Sequence, residues 1–403
     1  MGKIQKWAIR ILGGLAGLVL VAAVLLGVWP MPEDVAPQPA DSLIGAPDSA
    51  PTTAPVESNR TILVEAGGSI QAAVDEAKPG DVIEIGPGTY HEAVQVETHN
   101  LTVRGAPAAD GRYPLLDGEN KLDNGFRVTG SFFTIEKLDI RNYTENGVIV
   151  QGAYGPTFRD LVIDSTGRYA VYPIASTQVL IEGVKASRIA DAALYVGQSK
   201  DIIVRNNEAF ASVTGIEIEN SVNAVVENNY VHDNTGGILV FLLPHLNAKD
   251  GRDSLVKNNR IENNNLPNFA AEGIVARVPP GVGMIILAAD STEVTGNTFS
   301  GNGSTAIAVV SAGVFFDDTS EFDIPLTPER TWIHDNTFTH NATNPSPEAT
   351  AYGFPNGNDI LWDASAWDTT IDAPGAKIFP YAPGPGWPDF VKKVVWRAIQ
   401  FVK

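Results

Sequence analysis

From Ile135 onward one short pattern of apolar and polar positions recurs along the chain. Ile135, Phe158, Ile181 and Val204 are each 23 residues apart, and Val226, Val256, Val294 and Ile333 follow at steps of 22, 30, 38 and 39. A period near 22–23 with occasional longer excursions predicts a solenoid whose loops bulge from a constant rung. Helical repeats need about 33 residues or more per unit, so the chain reads as all-β, with three short strands and three turns per coil. Three residues after each anchor come Leu138, Leu161 and Val184, then Asn207, Asn229, Asn259, Asn297 and Asn336. Five residues further on, the last four rungs carry Asn234, Asn264, Asn302 and Asn341. Stacked rungs lie ~4.8 Å apart, so these amides are expected to bond up and down the stack as ladders.

The position after each anchor reads Arg104, Glu136, Arg159, Glu182, Arg205, Glu227 and Lys257, alternating in sign at every step. Residues beside an inward apolar residue point outward, so this predicts an exposed column of ion pairs that pins the register. At the start of the coil, Ser69 to Lys78 reads as a short amphipathic helix with Ser69 as N-cap and Ile70, Ala73, Val74 and Ala77 on one face. Laid over the open mouth of a solenoid, such a helix protects the terminal core.

The segment SIQAAVDEAKPGDVIEIGPGTYHE resembles the N-terminal cap and first rung of the pectin-lyase-like right-handed parallel β-helix superfamily. The run GIEIENSVNAVVENNYVHDNTGGILVFLLP is similar to a bacterial family of exported β-helix proteins of unknown function. That resemblance spans about residues 60–355, implies a gene neighbour encoding another exported protein, and brings no catalytic residues with it.

Outside the coil the patterning changes. After Lys3, Lys6 and Arg10, residues Ile11 to Trp29 run 19 positions without a charge, about the minimum for a helix crossing ~30 Å of hydrocarbon. The basic flank predicts a cytoplasmic N-terminus. Read as an uncleaved anchor, this leaves the bulk of the chain extracytoplasmic, held at the inner membrane; a cleaved signal exports it equally. Residues 31–60, rich in Pro, Ala and Ser, read as a tether. The coil is expected over 61–355, a Pro/Gly/Trp-rich extension over 356–387, and a basic amphipathic helix over 388–403, suited to an anionic lipid surface or to capping the last coil.

Charge and cysteine content narrow the chemistry. The formal charge is −19; without the seven bases and one acid of the two ends it is −25. That excludes a reader of nucleic-acid backbone. Zero cysteines exclude disulfides, zinc-thiolate sites and thiol nucleophiles. No cofactor is expected. Asp317, Asp318, Glu321 and Asp323 offer oxygen ligands at a spacing that matches no known calcium loop, so no metal is assigned.

Enzymes of the resembled superfamily work on polysaccharides laid along one sheet, which directs attention to outward residues on neighbouring rungs. Taking Val148, Val171, Leu194, Ile216 and Ile238 as inward, the outward set contains Tyr172, Tyr195, Glu217 and Glu219, with Phe241 as a wall and the small Gly197 leaving space over Glu219. Glu217 and Glu219 are the candidate catalytic pair, since neighbouring carboxyls split their proton affinities. Tyr172, Tyr195 and Phe241 are the candidate sugar-binding residues. The alternative is that these are solvated residues of an acidic protein.

His232-Asp233 lacks the Asp-Pro portion of the Asp-Pro-His-Asp run found in C5-epimerases of this superfamily, and reads as a surface histidine. Arg168, Lys249 and Arg252 are the cations that could approach from loops. Excursions at 242–253, 265–282 and 312–330 would cluster on one side and build a wall. Missing catalytic signatures and the −25 charge favour a membrane-anchored module that binds an envelope glycan or docks an exported partner protein; the alternative is a carbohydrate-active enzyme (lyase, epimerase or hydrolase) using the Tyr/Glu cluster.

Overall fold

A computed structural model describes residues 58–379 other than 355, 364, 365, 367 and 368. The expected membrane segment, most of the tether and the C-terminal amphipathic helix lie outside the described residues. Among the described residues no helix is long and apolar enough to cross a membrane.

The chain winds through three parallel sheets of twelve, ten and eleven strands, visited in turn on each coil and here called the first, second and third sheets. The anchors register as the repeat predicts. Ile135, Phe158, Ile181, Val204, Val226, Val256, Val294 and Ile333 pair in succession along the first sheet and are buried. The coil continues beyond residue 355: Ile360–Trp362, Thr370–Asp372 and Ile378–Phe379 add strands to the first and third sheets. The first sheet thereby stacks twelve strands.

The corners explain the spacing. Two residues after each anchor the backbone enters the left-handed region, at Lys137, Asp160, Gly183, Asn206, Asn228, Asn258, Gly296 and Asp335 (φ 51° to 66°). Seven residues after, it does so again, from Asn142 to His340. Asn, Asp and Gly enter this region most easily, which accounts for their recurrence. Each ladder Asn follows such a corner directly. Asn259 Oδ1 accepts from Asn229 N and Nδ2, both at 2.9 Å, while its own Nδ2 donates to Asn297 Oδ1 at 2.9 Å and to Val226 O at 2.8 Å. The second ladder repeats this from Asn234 to Asn341. The third corner uses serine: Ser199 Oγ accepts from Ser176 N, and Ser221 Oγ from Ser199 N, each at 3.0 Å.

The charge column forms on the outside of the first sheet. Arg104 meets Glu136 at 2.6 Å, and Arg205 meets Glu182 at 3.2 Å. Arg159 reaches Glu136 at 3.7 Å and Glu182 at 3.9 Å, and Lys257 reaches Glu227 at 3.5 Å. The helix Ile70–Glu76 forms with Ser69 accepting from Ala72 N, and Ile70, Ala73 and Val74 are buried beside the first strands.

The excursions do gather on one side. They leave the coil at the two corners flanking the third sheet and fold over its outer face, where Leu239, Phe241, Ile285 and Leu287 form a second apolar cluster with Leu243, Val275, Val278 and Phe315. Ion pairing of Lys249 with Asp323 at 2.7 Å joins the first excursion to the third. The third sheet is thus buried on both faces over its later rungs, while on its earlier ones the outward Gln95, Arg127 and Gln151 stay exposed and Ile149 is buried.

Candidate active site

Three consecutive strands of the third sheet, Tyr169–Ile174, Ala192–Gly197 and Thr214–Glu219, bring the candidate residues together. Tyr195 registers against Glu217 and Gly197 against Glu219. Tyr172 lies beside Tyr195, with ring centroids 5.0 Å apart and edge-on. The Tyr195 hydroxyl donates to Glu219 Oε1 at 2.6 Å. The space above Gly197 is taken by that same ring: a Cβ on Gly197 would stand 2.2 Å from the Tyr195 hydroxyl. Glycine is what lets Tyr195 bend over to its partner.

Two expectations need correction. Glu217 and Glu219 are not solvated: they are 1% and 8% exposed. Phe241, 1% exposed, belongs to the apolar cluster under the excursions and offers no free ring to a sugar, and Tyr195 at 4% is nearly as covered. The covering comes from insertions distant in sequence and from the tyrosine rings themselves, neither of which strand alternation reveals. Tyr172 remains partly exposed.

The structure also adds Tyr169 and Asp191. Tyr169 packs against Tyr172 at 4.5 Å and Tyr195 at 4.6 Å, completing a tyrosine trio. Strict alternation places Tyr169 on the same side as inward Val171. At this corner, however, the inward place is taken by Ala170, in a series that holds Gly147, Ala193, Gly215 and Gly237 on neighbouring rungs. That recurrence of small residues was the available signal. The Tyr169 hydroxyl favours the ionised form of Asp191, which is partly exposed at the start of its strand.

The electrostatics follow from this crowding. Burial pushes the Asp191 carboxyl up to about 7, against the pull of nearby Arg168 and the Tyr169 hydroxyl, with Glu219 adding to the rise. Glu217 is held well above the ordinary carboxyl range by burial, then by Glu219 and Asp191. Glu219 is raised by burial too, while the Tyr195 hydroxyl favours its ionised form. Glu217 Oε2, Asp191 Oδ1 and Thr214 Oγ1 are buried without a hydrogen-bond partner. Three acids that bind protons more tightly than usual, beside orphaned polar atoms, form an arrangement characteristic of reactive sites.

Of the three loop cations, Arg168 approaches the acids, and it is also held by Glu145 at 4.0 Å and Glu272 at 3.7 Å. Lys249 pairs with Asp323 and Arg252 with Asp250, at 2.7 and 2.9 Å. His232 stands on the second sheet, stacked on Tyr230 at 3.9 Å, with Nδ1 2.7 Å from Asp233 and Nε2 3.4 Å from Glu208. It is remote in topology from the acid cluster. Among the described residues no group of three or more His, Cys, Asp or Glu is placed to hold a metal ion.

Comparison with known proteins agrees with the architecture. A family model described as a right handed beta helix region matches residues 124–244. No curated protein sequence matches the chain. Among solved structures, the A-module of the mannuronan C-5 epimerase AlgE4 of Azotobacter vinelandii aligns at 17% identity and TM-score 0.54, covering 81% of this chain and 87% of its own. The AlgE6 A-module of the same organism aligns at 16% identity and TM-score 0.54, over 80% and 86%. An alginate lyase from Paenibacillus sp. aligns at 17% identity and TM-score 0.46, over 80% and 96%. At these identities the likeness is one of fold, and it agrees with the three-sheet coil and its ladders: the chain folds as a right-handed parallel β-helix.

Proposed function

We propose that this protein is a carbohydrate-active enzyme that hydrolyses glycosidic bonds at the Asp191–Glu217–Glu219 cluster. One observation carries the reading: three carboxyls on adjacent rungs are crowded under a tyrosine trio, all with raised proton affinity. A face that only binds glycan has no need to desolvate its acids, whereas acid–base catalysis needs groups that hold and release protons near neutral pH. The fold likeness supports the same broad class, because both aligned A-modules belong to mannuronan C-5 epimerases, which are carbohydrate-active enzymes. This moves the preference away from the binding module that the sequence favours.

In the proposed step Asp191 gives its proton to the glycosidic oxygen as the C–O bond breaks. Glu219, whose ionised form Tyr195 favours, takes a proton from water whose oxygen bonds the anomeric carbon. Glu217, 1% exposed, lies too deep to touch the sugar and is a positioning residue beside Glu219 and Asp191. Tyr195 is a positioning residue for Glu219. Hydrolysis is favoured over elimination because Arg168, the cation near the acids, is already shared with Glu145 and Glu272, and a lyase needs a cation to neutralise the uronate. Residues 11–29 as a membrane anchor would place this activity outside the cytoplasm, on an envelope or extracellular glycan.

The test is a panel of neutral and uronic glycans incubated with the wild-type protein, with products weighed by mass spectrometry. Hydrolysis predicts products that have gained one water at each cleavage. Unsaturated products would replace hydrolysis by elimination, and binding without any product would return the preference to the binding module.

A further inference from the structure

Resting on the glycan-cleaving reading, we infer that the protein acts at the end of its substrate chain and not in its interior. The outer face of the third sheet changes character at the acid cluster. On the rungs before it Gln95, Arg127 and Gln151 are exposed and Tyr172 partly so, while Ile149, between Arg127 and Tyr172, is covered. From Val94–Val96 to Tyr169–Ile174 this open face extends over three strand spacings, ~14 Å at ~4.8 Å each. On the rungs after it the same outward columns hold Leu239, Phe241, Ile285 and Leu287, all buried beneath residues of the excursions. The outward side chains switch from polar to apolar within one rung: Glu217 registers against Leu239, and Glu219 against Phe241.

Both edges of the cluster are bounded as well. On one edge Asn220 Nδ2 donates to Leu243 O at 2.8 Å and to Ala248 O at 2.7 Å, and Gln198 Oε1 accepts from Asn247 N and Ala248 N at 3.0 and 3.1 Å. These bonds hold the first excursion against the strand ends that carry Gly197 and Glu219. On the other edge Arg168 meets Glu272 of the second excursion at 3.7 Å. A glycan is thus free to approach along the early rungs, but it has no path across the sheet and none past Leu239 and Phe241. The chain end stops at the wall, and the bond over the acids is one of the first from that end.

The experiment uses the glycan that gives product in the panel above, supplied as a linear octasaccharide labelled at one end and as a cyclic oligosaccharide of the same linkage. End action predicts one short product size from the earliest time point and an untouched ring. A ladder of intermediate lengths, or opening of the ring, would overturn the inference while leaving the catalytic reading in place. Absence of turnover on every glycan would overturn both.

Discussion

Glu217 lies between Tyr195 and Leu239 on the neighbouring strands, with one carboxyl oxygen lacking any hydrogen-bond partner. Burial raises the proton affinity of this group well above the ordinary carboxyl range, and this has a consequence for stability. The native state holds the proton more tightly than the unfolded chain, whose glutamates titrate near ~4.3. The stability linked to that proton is fully present below this pH and is lost as pH rises through the raised native value. Asp191, raised to about 7, contributes a loss of the same sign between its ordinary range and neutrality. Glu217→Gln keeps the shape and has no proton to lose. Melting temperatures measured from pH ~4 to ~8 should coincide for mutant and wild type at the acid end, with the mutant the more stable at the alkaline end. Parallel curves would mean that Glu217 is ionised in the native protein. That a Tyr/Glu cluster forms on the third sheet was legible in the sequence, because inward positions step regularly from Val148 to Ile238. Its burial was not, and neither were Asp191 and Tyr169, which enter from a corner where alternation breaks.

Strands of three to six residues have little stability of their own, so the corners and ladders define the rung. The Asn series and the alternating charges were legible because identical positions stack, and a stacked column shows as a repeated letter. The left-handed corners were less so: Lys137 and Ala211 adopt them as well as Asn and Gly, so composition only partly marks the turn. The two kinds of column differ in worth. Asn259→Ala would leave Asn229 N and Val226 O buried without their partners, at ~1–3 kcal/mol for each stranded group. Arg159 is half-exposed, and both its partners keep a second arginine, so Arg159→Ala should cost under ~1 kcal/mol. Urea unfolding of the two variants checks this. Equal losses would show that the amide ladder has no special weight.

At the scale of the whole molecule, the coil carries the fold and the excursions carve the site from it. The buried apolar residues among those described begin at Val64, so a chain lacking residues 1–57 should remain folded, with an unchanged β-sheet circular dichroism spectrum and melting temperature. A large drop in melting temperature would assign the N-terminal region a part in the core. Excursion positions were readable as stretched periods, but not what they cover, since no local pattern records which face a loop returns to. That covering isolates the acids, ends the groove and shapes the proposed activity. The most direct test of the account compares wild-type, Asp191→Asn and Glu217→Gln proteins in the release of reducing ends from the glycan found in the panel, with melting temperatures recorded alongside. Asp191→Asn should lose ~10²–10⁴-fold in rate, the usual worth of a general acid, Glu217→Gln should also be impaired, and both should remain folded. Wild-type turnover that survives in Asp191→Asn would contradict the account.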